Sequence, residues 1–211
     1  MKVPFKGCVL KEYPAGNISQ YFGENPALYA RMNLAGHNGI DLVAPHGTPM
    51  EAVENGTILE VKNDPNGYGK HIRFIARSKN GFSNLWTYGH CDTISVQVGD
   101  IVAEGQEIAT MGNTGFVVSS SNGNGFWSFN PFAGTHLHLG LRKVKRDPKG
   151  WSYEGSKIKI QVPDYNNGYK GSVDPLPAFG VTITPEIASL ELQVSLLTKV
   201  LELYKQLFKI K

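Results

Sequence analysis

Five residues in three separate stretches carry side chains able to bind a metal or move a proton: His37 with Asp41, His90, and the pair His136 and His138. The pair falls in residues 134–141, where alternation predicts a strand with both imidazoles on one face. Leu137, Leu139 and Leu141 would take the other face. Two imidazoles on one sheet face suit a metal or proton transfer, and taken alone they suit a solvated surface as well. His37 and Asp41 stand four apart with Gly39 between them. In a straight strand their Cα atoms would lie about 13 Å apart, near the limit for two side chains reaching one ion. A bend at Gly39 shortens that separation, and glycine is the residue that permits one. His37, Asp41 and one further histidine offer two nitrogens and one oxygen. Three such ligands with an open fourth position form the donor set of catalytic zinc. Spacing leaves open which of His136 and His138 completes the set. The other, with His90, would be free for acid–base work.

The elements that must position these groups read as short strands. Alternating runs at 17–22, 49–53, 56–61, 71–76 and 84–88 are separated by turn chemistry at 64–67 and 79–81. Residues 96–109 add a glycine-punctuated apolar pattern of the kind found at the corner of a small β-sandwich. With 24 glycines and 12 prolines in 211 residues, this spacing predicts a mainly β sandwich or barrel rather than a βαβ fold. Residues 113–134 are rich in Ser, Asn and Gly but also carry Phe116, Phe126, Trp127, Phe129 and Phe132. A loop of this length and composition suits the wall of a binding groove, which makes Asn113, Phe116 and Trp127 candidate substrate contacts. An insertion packed on its own aromatics accounts for it equally well. Residues 143–172 read as a second insertion, with a turn at 147–150 and a strand at 158–162.

From Thr184 the pattern changes. Thr184 suits an N-cap, Pro185 the first helical position, and apolar residues from Ile187 to Phe208 recur at alternating three and four. This predicts an amphipathic C-terminal helix that packs on the domain, pairs with copies of itself or docks to a larger assembly. The expected organisation is a domain over 1–180 and a helix over 181–211.

Composition excludes other classes. A net charge of +3 without a long basic run gives nucleic-acid binding no support. Cys8 and Cys91 are too few for a disulfide framework and read as buried thiols. No apolar run is long enough to span a membrane, and no signal peptide is evident at the N-terminus. His46 reads as a turn residue and His71 as a sheet-surface residue; Asp64, Asp100 and Asp147 read as turn formers.

The motifs together are similar to those of the lysostaphin/LytM-type zinc endopeptidases that cut peptidoglycan peptides. The resemblance rests on His37-x-x-x-Asp41, Tyr88-x-His90 and His136-x-His138, with Gln20-Tyr21-Phe22-Gly23, Ala44-Pro45-x-Gly47-Thr48-Pro49, Gly56-Thr57-Ile58, Val98-Gly99-Asp100, Gly105-Gln106, Gly112-Asn113-Thr114-Gly115 and Asp174-Pro175 in order across about residues 17–178. It implies an antiparallel β-sandwich of the duplicated hybrid motif type. It also implies one Zn2+ held by His37, Asp41 and His138, with His90 and His136 as catalytic histidines. Tyr88 would add a hydrogen bond to the reacting group or pack in the core.

The function implied is hydrolysis of peptide bonds in peptidoglycan cross-bridges or stems. The rival readings are a catalytically silent wall-binding or regulatory member of the fold, and a phosphocarrier domain using paired histidines. Neither rival needs all five polar positions filled, as they are here. An enzyme acting on the wall without its own signal fits a phage-encoded lysin or a virion-associated enzyme, and equally a bacterial enzyme whose signal has been removed.

Overall fold

The computed structural model of the chain describes residues 1–76, 81–117 and 132–182, together with Leu197, Val200 and Leu201. Two units divide it, Met1–Phe179 and Gly180–Lys211. In the first unit the strands are β1 (Ile18–Gln20), β2 (Ile40–Leu42), β3 (Pro49–Glu51), β4 (Gly56–Asp64), β5 (Gly69–Ala76) and β6 (Ser83–Gly89). They continue with β7 (Cys91–Ile94), β8 (Ile101–Val102), β9 (Glu107–Met111), β10 (Leu137–Trp151), β11 (Ile160–Gln161) and β12 (Ser172–Val173). A large sheet runs β1-β2-β10-β6-β5-β4-β8, with β11 and β12 also pairing with β10, and a small sheet runs β3-β9-β7. These pairings are antiparallel, as the family resemblance implies. One four-residue helix, α1 (Pro26–Tyr29), lies between β1 and β2.

Register sorts the large sheet into two faces. Ile72 and Phe74 of β5 pair with Tyr88 and Trp86 of β6, which pair in turn with Leu139 and Leu141 of β10. All six are buried, with Leu137 beside them. Burial of one such side chain contributes about 1.5–3 kcal/mol, so this face is the main core. Tyr88 ties it to the small sheet: its hydroxyl donates to the Glu51 carbonyl at 2.8 Å and accepts from the Val53 N–H at 3.2 Å. The opposite face carries His138, Gly140, Arg142 and Val144 of β10 and the residues in register with them. Its far end is closed by a second apolar cluster of Leu59, Ile75, Leu85, Val144, Ile160 and Val162, with Tyr153 and Ile158 packed against it.

That cluster corrects the reading of 143–172 as an appended insertion. β10 runs on to Trp151, and β11 joins the sheet and contributes to the core. The expected turn at 147–150 is an irregularity within β10, since Arg146 and Trp151 both pair with Ile160. The turn chemistry survives locally, with Asp147 Oδ1 accepting the Lys149 N–H at 2.8 Å. His71 is also corrected: it is 2% exposed rather than on the sheet surface. Its Nδ1 lies 2.9 Å from the Gly69 carbonyl and its Nε2 3.3 Å from Glu60. The expected helix over 184–211 lies outside the described residues except for Leu197, Val200 and Leu201, which are helical and exposed but too few to define it. No described helix is long and apolar enough to cross a membrane.

Gly39 supplies the bend expected between His37 and Asp41, and neighbouring atoms leave it no side chain. A Cβ there would stand 2.7 Å from His138 Cε1 and 2.7 Å from the Leu139 carbonyl oxygen. The imidazole of β10 occupies the space a methyl would need. Gly39→Ala is therefore expected to destabilise the fold by about 1–3 kcal/mol, read as a lowered denaturant midpoint at unchanged m-value.

Candidate metal centre and groove

Two neighbouring strands bring the site together. β2 pairs with β10 so that Asp41 stands opposite His138. His37 lies just before β2, fixed by backbone bonds from its N–H to the Glu24 carbonyl at 2.9 Å and from the Gly23 N–H to its own carbonyl at 2.8 Å. His37 Nε2, Asp41 Oδ1 and His138 Nδ1 then form a triangle with sides of 3.0, 3.1 and 3.2 Å. The three residues are 1%, 9% and 3% exposed.

His37 Nδ1 lies 3.2 Å from the Tyr21 carbonyl, which can only accept, so the proton sits there and Nε2 presents its lone pair. A carboxylate oxygen, the His37 lone pair and His138 Nδ1 thus converge on one buried point, an arrangement that favours a cation. In a tetrahedral site with zinc bonds of 2.0–2.1 Å, ligand atoms stand about 3.3 Å apart. The donor set and the triangle both fit that ion, and the Tyr21 carbonyl provides the outer hydrogen bond that orients a ligating histidine. Among the described residues these three form the group able to hold a metal.

His90 and His136 flank the triangle, their rings 4.6 Å apart between centroids. Each has Nδ1 2.7 Å from a backbone carbonyl, Thr114 for His90 and Gly134 for His136. Both therefore carry the proton on Nδ1 and leave Nε2 as the free acceptor. His136 Nε2 lies 3.6 Å from Asp41 Oδ2. His90 is the single residue between β6 and β7, where the chain passes from the large sheet to the small one, and its φ of 61° is left-handed. A non-glycine residue in that region is costly and is held by its neighbours. Here the holding groups are the Tyr68 carbonyl, which accepts the His90 N–H at 2.8 Å, and the Thr114 carbonyl.

Burial sets the protonation states. Desolvation, aided by the nearby His136 and His138, takes His90 down to about 3. Desolvation also lowers His138 to about 4, against an opposing hydrogen bond to the Asp41 carboxylate. Burial alone would raise Asp41, but His136, His37 and the bond to His138 outweigh it and hold the carboxylate well below its usual range. At neutral pH His90 and His138 are therefore neutral beside an ionised Asp41 carboxylate.

The triangle opens into a cavity of about 360 Å³, which His90, His136, Tyr68 and Phe116 help to line. The proposed substrate contacts divide. Phe116 lies on the cavity, with the Arg31 guanidinium 4.8 Å from its ring centre. Tyr88 does not reach it; its ring faces the main core and its hydroxyl is engaged by β3 and Val53. Asn113 points elsewhere, its amide donating to the Ala133 carbonyl at 3.1 Å. Trp127 lies outside the described residues. The tyrosine at the site is Tyr68, whose ring stands 4.8 Å from that of His138 and whose hydroxyl accepts from Asn38 Nδ2 at 2.7 Å. Sequence reasoning missed it, although an aromatic between Gly67 and Gly69 in a hairpin turn was the available signal.

Comparison with known proteins agrees with this geometry. The sequence model of peptidase family M23 matches residues 35–152, just over half of the chain. Lysostaphin of Staphylococcus simulans is 36% identical over 80 residues, 38% of this chain and 16% of that protein. Peptidoglycan DD-endopeptidase ShyA of Vibrio cholerae is 33% identical over 134 residues, 62% of this chain and 26% of that protein. The chain thus spans about a sixth to a quarter of the length of these relatives. The solved structure of LytU superposes with a TM-score of 0.50 at 27% identity, covering 82% of this chain and 92% of that one. With the matched region carrying strands β2 to β10 and the histidine–aspartate triangle, the chain belongs to peptidase family M23.

Proposed function

We propose that the chain is a zinc-dependent endopeptidase that hydrolyses peptide bonds in bacterial peptidoglycan, with His37, Asp41 and His138 holding one zinc ion. The carrying observation is the 3.0–3.2 Å triangle of lone-pair donors beside two histidines that share one tautomer. Zinc, when bound, supplies the Lewis acidity that polarises a peptide carbonyl and acidifies water. Hydrolysis breaks a C–N bond, forms a C–O bond from water and leaves a proton on the amine. His90 and His136 both turn Nε2 to the site, so either can accept a proton there. His136 is the better place to keep one, because its Nε2 faces Asp41 Oδ2 at 3.6 Å. His90, held to about 3, stays a neutral hydrogen-bonding partner that positions water and substrate. We assign the proton delivered to the leaving amine to His136.

The substrate assignment draws on the family and on relatives such as ShyA, named for peptidoglycan endopeptidase activity. Action at the cell wall follows from the same reading, with delivery by a phage particle or lysis programme as the proposed route. Residues 184–211 are proposed as an amphipathic helix for self-association or docking.

Asp41→Ala and His138→Ala are expected to lose both zinc and activity, whereas His136→Ala keeps zinc and loses about 10²–10⁴-fold in turnover. Metal content by mass spectrometry beside digestion of defined muropeptides measures both, and full zinc in Asp41→Ala would sink the ligand assignment. Protonation gives a second test. Unfolded histidines titrate near 6.5, while His90 and His138 are held to about 3 and about 4 when folded. Between those values the unfolded chain binds more protons, so stability is present above about pH 6.5 and falls as pH drops through the window. In EDTA the Tm is expected to be flat near pH 7–8 and to decline steadily toward pH 4; a Tm that held level to pH 4 would contradict the neutral, buried histidines. For the C-terminal segment, light scattering should show the full chain as an oligomer and residues 1–180 as a monomer. Two monomers would remove self-association.

A further inference from the structure

The groove carries cations that peptide hydrolysis does not require. Arg73, Arg142 and Lys170 line the same cavity as His37, Asp41 and His138. Strand register places two of them. His138 pairs with Gly89, Gly140 with Thr87 and Arg142 with Leu85, while Arg73 also pairs with Thr87. His138, Arg73 and Arg142 therefore leave one sheet face at successive two-residue steps, each about 6.6 Å along the strand. An extended peptide on that face advances about 3.3 Å per residue, which puts the two guanidinium groups within roughly two and four substrate residues of the metal ligands. The floor between them is Gly89, Thr87 and Gly140, small enough to leave the face open.

Charge on this wall is incompletely balanced. Arg73 is ion-paired with Glu60 and lies 5.6 Å and 5.3 Å from the ring centres of Tyr68 and Tyr153. Its Nε is buried without a hydrogen-bond partner among the described residues. Lys170 Nζ donates to the Met32 carbonyl at 3.0 Å. Neither Lys170 nor Arg142 has an ion pair among the described residues. The lining acids do not offset them: Asp41 belongs to the metal triangle, and Asp64 accepts the Asn66 N–H at 3.3 Å within the β4–β5 turn. Guanidinium groups in a partly desolvated wall are matched by the planar, two-oxygen geometry of a carboxylate.

We infer that the groove recognises a free carboxylate on its substrate. The favoured substrate class is an anionic wall peptide, a stem peptide with a carboxyl group within about four residues of the bond cut, over an uncharged glycine bridge. This deepens the hydrolase reading and rests on it for the identity of the substrate, but recognition is measurable without turnover. The full chain, stripped of metal with EDTA, is titrated calorimetrically with three probes: muropeptide dimers with free carboxyl groups, the same dimers amidated, and pentaglycine. The free-carboxyl dimers are expected to bind at least about tenfold more tightly than the amidated ones, and pentaglycine no more tightly than the amidated dimers. Arg142→Gln and Lys170→Gln should each shrink the difference, with circular dichroism confirming the fold; Arg73 is left intact because it is built into the Glu60 pair. Equal affinities for free and amidated dimers overturn the inference, as does a difference kept in full by both variants. A separate assay for turnover by the zinc-loaded chain decides the hydrolase reading, whatever the titration shows.

Discussion

Three electron-pair donors converge on one buried point, and much of the fold exists to make that tolerable. His37 Nε2, Asp41 Oδ1 and His138 Nδ1 lie 3.0–3.2 Å from one another in a setting that water hardly reaches. Burying an ionised carboxylate against lone pairs is unfavourable unless positive charge or protons sit between them. The protein does not relieve the crowding by moving the groups apart. The β2–β10 register holds Asp41 opposite His138, and Gly39 has no side chain because the His138 ring takes that space. The Tyr21 carbonyl fixes the His37 tautomer so that its lone pair faces inward. Each restraint acts on a different ligand, and together they keep the triangle ready for a cation.

The same backbone periodicity that builds the core also builds the site. Along β10, leucines at 137, 139 and 141 face the core, so His138, Gly140 and Arg142 must face the other way. A one-residue slip would exchange the two sets and lose the core and the site at once. Stability therefore protects function here through register. Farther along the same sheet face, beyond Arg142, the Leu59–Val162 cluster replaces the polar residues with core.

How far the sequence could be read follows from this. The β class, the bend at Gly39 and the opposed faces of 134–141 are local properties of spacing and residue type, and they were legible. The strand itself starts at Leu137, leaving His136 in the approach, anchored by its N–H to the Gly112 carbonyl at 3.2 Å. Choices that depend on which strands meet were not legible. Tyr88 and Tyr68 are both tyrosines near glycines, but parity sends Tyr88 into the core while the β4–β5 hairpin carries Tyr68 over His138. His71 reads as a surface residue until β4 supplies Glu60 beside it. Residues 143–172 resemble an insertion because their apolar positions are sparse, and only the pairing of β10 with β11 shows them to be core. Arg142, two steps along the face of His138, was within reach of period-two reasoning.

His90 shows why position and chemistry are hard to separate in this fold. The chain must leave the large sheet after Gly89 and enter the small sheet at Cys91, and one residue makes the passage. A left-handed φ at that residue turns its side chain into the groove and its N–H to Tyr68. Glycine would take the conformation with less strain, but it would bring no imidazole. The strain is balanced by the Tyr68 and Thr114 carbonyls, and the Thr114 contact also fixes the ring's proton on Nδ1. Thr114 is itself held by its hydroxyl, which donates to the Cys91 carbonyl at 2.9 Å and accepts the Lys70 N–H at 2.9 Å. The corner between the sheets, the tautomer of His90 and the path of residues 112–116 are thus one mechanical unit, in which a change that relaxes the backbone also releases the imidazole from the groove.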